Sequence, residues 1–114
     1  MQNELAEAVR SAGLEPRSPD RPDPDPEFDV AWQQGDTVFV AEVKSLTEDN
    51  EVQQLRLGLG QVLNYAHLLD WPGVENVQPV LAVEHRPAAE YWVDLCKEHR
   101  VVLTWPGQFM ELFT

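Results

Sequence analysis

The chain has 114 residues, of which 43% are apolar, with four Trp and four Phe among them. This length and this apolar content suit one compact core, so we predict a single domain over residues 1–114. The 20 acidic residues outnumber the 8 basic ones and give a formal net charge of -12. Such a charge argues against broad, non-specific nucleic-acid binding, which draws its free energy from cations that displace counterions along the phosphates.

The sequence contains no run of about eighteen apolar residues, and its first segment is interrupted by Glu4, Glu7 and Arg10. We therefore expect neither a signal peptide nor a membrane span. The single cysteine, Cys96, has no partner for an intrachain disulfide and lies in a helical apolar pattern. A buried, inert thiol in a reducing compartment is the favoured interpretation, and the expected location is the cytoplasm.

The first half of the chain predicts a helix, a proline-rich loop and a β-hairpin. Residues 3–12 carry apolar side chains at helical spacing. A loop rich in Pro and Asp follows at about residues 16–27, where five prolines exclude a helix or a central strand and allow at most an edge strand at residues 14–18. Residues 28–32 and 37–44 are β-rich and are separated by a short turn sequence, so we predict that they pair as a hairpin.

A long helix over residues 50–69 is the best-defined element. Asn50 stands at the cap position and Gln53 at the capping-box position. Helical spacing then produces an apolar stripe made of Leu55, Leu59, Val62, Ala66 and Leu69.

A second stripe of this helix is polar but uncharged, and it is formed by Gln54, Gly58, Gln61 and Tyr65. The helix also contains two glycines, Gly58 and Gly60, each of which costs about 1 kcal/mol of helix propensity relative to Ala. Their presence indicates close approach of another backbone or of a ligand.

The last third of the chain predicts a buried strand over residues 77–83, a helix over residues 87–98 and a final strand over residues 101–105. The resulting order is helix, strand, hairpin, long helix, strand, helix, strand. We therefore predict an α/β fold with a mixed β-sheet flanked by helices.

Two carboxylates and one ammonium group mark the hairpin as a candidate metal site. Alternation along a strand places Glu42 and Lys44 on one face and Val43 on the other, and the hairpin brings Asp29 near them. Asp29 and Glu42 would ligate Mg²⁺, and the backbone carbonyl of Val43 can complete the shell. Lys44 would orient a metal-bound water and offset the charge that grows on a phosphate in the transition state. Mn²⁺ is expected to substitute for Mg²⁺.

Three short motifs together resemble a known family. Asp29, the triplet Glu42-Val43-Lys44 and the segment Gln61-Val62-Leu63-Asn64-Tyr65 look like the PD-(D/E)xK nuclease superfamily, in particular its RecB-like branch, whose third motif is Gln-x-x-x-Tyr. The resemblance covers roughly residues 1–83. It implies a restriction-endonuclease-like αβββαβ core, here followed by a further helix and strand, and a nuclease activity.

The resemblance also implies roles for other side chains. Gln61 and Tyr65 would contact a phosphate or Lys44, and the first helix often adds a carboxylate, for which Glu7 and Glu4 are the candidates, with Glu7 included in the predicted metal site. Two more residues of the long helix are candidate substrate contacts, namely Gln54 and Arg56.

Several alternatives remain open at this level. The acidic residue before the motif strand could be Asp25, although Asp29 lies inside the strand pattern and is preferred. Glu42 and Lys44 could form an ordinary solvated pair, but they follow an apolar run that suggests a strand buried on both faces. The three histidines, His67, His85 and His99, show no metal-ligand spacing.

Three functions are compatible with these patterns. The first is a divalent-metal-dependent nuclease in defence, repair or a mobile element, with DNA rather than RNA as the expected substrate. The second is a catalytically silent nuclease-fold module for binding or assembly, and the third is an unrelated acidic α/β interaction domain. Because the chain is acidic, a nuclease of this sequence would need a homodimer, a partner chain or a fused domain to supply basic surface.

Overall fold

The computed structural model describes residues 1–19 and 25–114, which form three α-helices, four β-strands and a C-terminal 3-10 helix. In chain order the elements are α1 (Gln2–Ser11), β1 (Val30–Gln34), β2 (Thr37–Lys44), α2 (Glu51–Leu68), β3 (Asn76–Val83), α3 (Tyr91–Glu98), β4 (Val102–Thr104) and the 3-10 helix (Pro106–Phe113).

The four strands form one mixed sheet in the order β1-β2-β3-β4. β1 and β2 form the predicted antiparallel hairpin, whereas β2, β3 and β4 run parallel to one another. Parallel neighbours need a crossover connection, and α2 supplies it between β2 and β3. The small α/β domain with a mixed sheet flanked by helices is therefore confirmed.

The two faces of the sheet bury different partners. On one face, α1 and the 3-10 helix pack through Leu5 and Phe109 against β-strand residues such as Ala41 and Ala82. On the other face, α2 packs through Leu55 and Val62 against Leu81 and Val83 of β3, and α3 joins this cluster through Trp92. Glu42 and Lys44 lie opposite Leu81 and Val83 in the β2–β3 register, so their side chains face α2.

The N-terminal edge of the sheet differs from the expectation. The suggested edge strand at residues 14–18 is reduced to one antiparallel bridge between Arg17 and Ala31. β1 begins at Val30 rather than at residue 28, because the Phe28 N–H turns back to the Pro26 carbonyl at 2.9 Å. Within the predicted proline-rich loop, residues 20–24 lie outside the described residues.

The C-terminal third contains two further differences. α3 begins at Tyr91 rather than at residue 87, because the Ala88 N–H donates to Glu51 Oε2 at 3.0 Å and the chain turns before it becomes helical. The 3-10 helix at Pro106–Phe113 was not expected, and it buries Phe109 and Leu112 against α1 and the sheet.

The lone cysteine is buried, as its helical apolar pattern predicted. Cys96 is fully buried on α3, and burial raises the pKa of its thiol to about 11. The thiol is therefore protonated and unreactive near neutral pH. Across residues 1–19 and 25–114, no helix has the length and apolar character needed to cross a membrane.

Candidate functional site

A buried carboxylate at the end of β2 is the centre of the site. Glu42 has only 6% of its surface exposed, although it is ionisable, because strand alternation turns it into the layer between the sheet and α2. Lys44 follows on the same face, with its Nζ 3.7 Å from Glu42 Oε1. The Glu42 side chain is 8% exposed and the Lys44 side chain 13%, so the two do not form the solvated surface pair that the spacing alone allowed.

Asp29 is fixed beside this pair by the backbone of the hairpin. Its N–H donates to the Ala41 carbonyl at 3.0 Å, which places it next to Glu42. Its Oδ2 accepts a 2.7 Å hydrogen bond from the Val43 N–H. The side-chain amide of Gln2 on α1 donates to the Asp29 carbonyl at 3.2 Å. The last residue before β1 is therefore held on both its backbone and its carboxylate.

α2 covers the face of the sheet that carries Glu42 and Lys44, and Gly58 permits the close contact between them. A Cβ atom at Gly58 would lie 2.6 Å from Leu81 Cδ1 and 3.0 Å from Lys44 Cγ, both closer than ordinary packing allows. The helix therefore lies directly on the aliphatic stem of Lys44. The sequence suggested close approach of another backbone or of a ligand, whereas the neighbours of Gly58 are the side chains of Leu81 and of Lys44.

Tyr65 and Gln61 continue the same face of α2 over the carboxylates. The Tyr65 hydroxyl interacts with the Glu42 carboxyl by a hydrogen bond that lowers the pKa of Glu42. Burial is the largest cause that raises the pKa of Tyr65, followed by the negative charges of Glu42 and Asp29. Gln61 lies one turn earlier and its Oε1 is buried without a hydrogen-bond partner among the described residues. The structure thus brings Asp29, Glu42, Lys44 and Tyr65 together and places Gln61 on the helix face that covers them.

The electrostatics of the site disfavour an isolated negative charge on Glu42. Burial is the largest cause that raises the pKa of Glu42 to about 8, followed by the hydrogen bond and the negative charge of Asp29. Lys44 and Tyr65 act in the opposite direction and only partly offset these effects. In addition, Glu42 Oε2 has no close hydrogen-bond partner within residues 1–19 and 25–114. Near neutral pH the carboxyl therefore holds a proton in the absence of another cation.

The donor set fits one hard divalent cation. Two adjacent carboxylates, one with an unpartnered buried oxygen, provide what Mg²⁺ takes from proteins, namely one or two carboxylates with water completing the shell. The described part of the chain has no group of three or more His, Cys, Asp or Glu side chains arranged to hold a metal. Glu7 is 71% exposed and pairs with Arg10, so the described residues place no third carboxylate beside Asp29 and Glu42.

Other candidates occupy different places. Gln54 donates to the Ser45 carbonyl at 3.3 Å and so supports the chain just after β2. Arg56 lies on another face of α2, in a groove that it shares with Tyr91 of α3. Asp25, the alternative to Asp29, accepts a 3.1 Å hydrogen bond from Trp71 Nε1, whereas Asp29 contacts the motif strand directly.

Two contributions to the site were missed in the sequence. Gln2 fixes the Asp29 backbone, and Glu84 Oε1 accepts a 2.9 Å hydrogen bond from the Leu46 N–H, which anchors the chain after β2. Glu84 directly follows β3, which runs parallel to β2, so the carboxyl ends of the two strands are neighbours. This position was the one sequence feature that could have indicated its contact with the chain after β2. No pattern in the sequence pointed to Gln2.

Comparison of the chain with family models, curated proteins and solved structures yields no match. The site itself combines two neighbouring carboxyl groups, Asp29 and Glu42, with the Lys44 ammonium group and a polar face of α2.

Proposed function

We propose that this protein is a divalent-metal-dependent nuclease of the restriction-endonuclease-like class that hydrolyses phosphodiester bonds, with DNA rather than RNA as the expected substrate. One observation carries the proposal: Glu42 is buried beside Asp29 and Lys44, and its Oε2 has no close partner among the described residues. Burying two carboxylates together is costly unless a cation joins them, so a structural role alone does not account for the arrangement.

Asp29 and Glu42 would hold the metal, with the Val43 carbonyl as a further oxygen ligand. Mg²⁺ is the expected ion, and Mn²⁺ would substitute for it. Such an ion, when bound, polarises a phosphoryl oxygen and lowers the pKa of a coordinated water. Metal binding requires Glu42 to lose the proton that its raised pKa retains near neutral pH, so binding would release a proton.

Lys44 and the polar face of α2 would act on the phosphate. The Lys44 ammonium group is held by its buried stem under Gly58, so it is oriented before substrate arrives. It would offset the negative charge that develops on the phosphoryl oxygens in the transition state. Gln61 and Tyr65 would donate hydrogen bonds to the same group, and the orientation of each is set by its place on a rigid helix.

The test is a cleavage assay on linear, circular and single-stranded DNA with Mg²⁺ or Mn²⁺. Wild type is compared with Lys44→Ala and with Lys97→Ala, which removes the other lysine of the chain at an exposed position on α3. We expect cleavage by wild type and Lys97→Ala, and a loss of at least about 100-fold in Lys44→Ala, because removal of one transition-state charge contact has effects of this order. Equal activity in all three proteins would contradict the proposal.

A catalytically silent nuclease-fold module is the second candidate, and the net charge of -12 favours it. Titration with Mg²⁺ or Mn²⁺ separates the two functions when wild type is compared with Glu42→Ala. A silent module would bind these ions no better than the variant, whereas the nuclease requires tighter binding by wild type. A homodimer, a partner chain or a fused domain that supplies basic surface remains part of the nuclease proposal.

A further inference from the structure

The side of α2 that points away from the sheet carries no charge. It consists of exposed residues three or four positions apart, namely Gln53, Leu57, Gly60, Asn64 and Leu68. We refer to these five residues as the outer stripe. A surface helix ordinarily places charged side chains on this side. Although 25% of the chain is charged, residues 52–68 contain a single Asp, Glu, Lys or Arg, which is Arg56. The outer stripe is therefore an uncharged surface on an acidic protein.

The outer stripe also exposes large apolar side chains. Leu57 is 48% exposed and Leu68 is 54% exposed. Val52 lies on the same helix, and Tyr91 lines the groove that α2 shares with α3. Within residues 1–19 and 25–114, four of the five exposed large apolar side chains thus lie on or beside α2. Clustered exposed apolar side chains mark interaction surfaces, whereas scattered ones need no explanation.

Gly60 lies near the middle of the outer stripe, between the two leucines. A Cβ atom at this position would meet nothing within 4 Å, so no contact among the described residues requires glycine there. The absence of a side chain lets another backbone approach closely. A second helix that crosses α2 near Gly60 would therefore contact Leu57 on one side and Leu68 on the other.

The charge of the chain favours a second copy of this protein as the occupant. A net charge of -12 opposes contact between two copies over most of the surface, because acidic groups would face one another. The outer stripe avoids this repulsion because it is uncharged. A basic partner, in contrast, would be drawn to the acidic surfaces rather than to this stripe.

The charges at the two ends of the outer stripe select an antiparallel arrangement. Arg56 precedes Leu57 and Asp70 follows Leu68 closely, and both charged residues are exposed. An antiparallel pairing that sets Leu57 opposite Leu68 of the second copy also sets Arg56 opposite Asp70 of the second copy, at both ends. A parallel pairing would instead bring like charges together.

We propose that the outer stripe of α2 is a homodimer interface, in which the α2 helices of two copies cross antiparallel about a two-fold axis. Each copy contributes the same residues, as in any isologous contact. One helix from each copy makes a small interface, so we expect reversible association with a dissociation constant in the micromolar range. The inference goes beyond the proposed nuclease function and does not depend on it.

The test is sedimentation velocity of the full chain over a series from low to high micromolar concentration. Wild type is compared with Leu57→Glu, Leu68→Glu and Met110→Glu. Met110 is the matched control, because it is 55% exposed and lies on the 3-10 helix, away from α2. All three substituted residues are exposed, so the variants should fold, and circular dichroism in dilute solution checks this.

We expect wild type and Met110→Glu to dimerise as their concentration rises. Leu57→Glu and Leu68→Glu should each weaken dimerisation by about tenfold or more, because each places an acidic group in the apolar contact. NaCl should strengthen the wild-type dimer, since it screens the repulsion between two acidic chains.

A charge exchange tests the antiparallel arrangement. Arg56→Asp should weaken the dimer, because it sets two acidic groups opposite each other at both ends of the stripe. Addition of Asp70→Arg to that variant should restore dimerisation. A double variant that stays as weak as Arg56→Asp would overturn the antiparallel pairing.

Two other outcomes would overturn the interface itself. A wild type that stays monomeric at the highest concentration would exclude a second copy as the occupant of the outer stripe. A dimer that Leu57→Glu and Leu68→Glu leave intact, or that Met110→Glu weakens equally, would not depend on this stripe. Cleavage is not measured in these experiments, so their outcome is independent of the nuclease proposal.

Discussion

Gly58 and Gly60 stand two residues apart on α2 and give the two faces of this helix different roles. A Cβ atom on Gly58 would press on Leu81 and on the stem of Lys44, whereas a Cβ atom on Gly60 would meet nothing within 4 Å. The inner face carries Gly58, Gln61 and Tyr65 and closes the candidate site. The outer face, around Gly60, borders a groove shared with α3.

The difference shows that glycine has a packing reason at one position of a helix and none among the described contacts two residues later. On the inner face, the cost in helix propensity is offset by a close approach that orients Lys44. On the outer face, no contact within the described residues offsets that cost. Alanine in place of Gly58 and alanine in place of Gly60 should therefore change stability in opposite directions, and two of the predictions below test that difference.

The largest expected effect concerns Glu42 and pH. In the unfolded chain this carboxyl ionises near its ordinary pKa of 4.5, while in the folded protein its pKa is about 8. Between these values the folded state holds a proton that the unfolded state has lost, so the contribution of Glu42 to stability falls as pH rises from 4.5 to 8. Each pKa unit corresponds to about 1.4 kcal/mol, so the whole effect can reach a few kcal/mol.

Glu42→Gln isolates this contribution, because Gln resembles the protonated carboxyl in shape. Without metal, we expect wild type and Glu42→Gln to have similar free energies of unfolding near pH 5 and the variant to become more stable than wild type by pH 8. Urea unfolding in EDTA across this range measures the difference. Parallel curves for the two proteins would show that Glu42 is ionised without cost, and would remove the argument that a cation belongs beside it.

Gly58→Ala should have the next largest effect. Overpacking a filled core costs about 1–3 kcal/mol, while alanine gains roughly 1 kcal/mol of helix propensity. We therefore expect a net destabilisation of up to about 2 kcal/mol by chemical denaturation, together with slower cleavage because the Lys44 stem is displaced. An increase in stability would mean that Leu81 and Lys44 move aside easily and that the inner face is loosely packed.

Gly60→Ala is the matched substitution on the outer face. Helix propensity predicts a gain of about 1 kcal/mol, and the new methyl group contacts nothing. Cleavage should not change, because Gly60 does not face Glu42 or Lys44. A loss of stability comparable to that of Gly58→Ala would show that the two faces do not differ in the way described.

The hairpin, α2 and the grouping of Asp29 with Glu42 and Lys44 could be predicted because each depends on local periodicity. Alternation along β2 determines which side chains share a face, and the helical repeat of α2 places Gln61 and Tyr65 together. The pairing of Asp29 with the Val43 amide follows from the register of a short hairpin. These features require only the sequence within one or two neighbouring elements.

The remaining features depend on contacts between distant parts of the chain. The 3-10 helix at Pro106–Phe113 is held by burial of Phe109 against α1, which no local pattern encodes. Gly58 and Gly60 look alike in sequence and differ only once β2 and β3 are packed below α2. The raised pKa of Glu42 likewise depends on its burial between the sheet and α2, which only the tertiary packing brings about.

The smallest expected effect is that of Gln61→Met on the inner face. Gln61 Oε1 is buried without a partner in the described structure, and an unsatisfied buried acceptor lowers stability. Met has a similar shape and lacks the polar group, so we expect stability to stay level or to rise by less than about 1 kcal/mol, while cleavage slows because a donor to the phosphate is lost.

The control is Asn64→Ala, at an exposed polar position on the same helix. It should change neither stability nor cleavage, since isolated surface substitutions usually stay within about 0.5 kcal/mol. Thermal unfolding and single-turnover cleavage give the two readouts, and a clear destabilisation by Gln61→Met would mean that this amide supports the fold instead of the substrate.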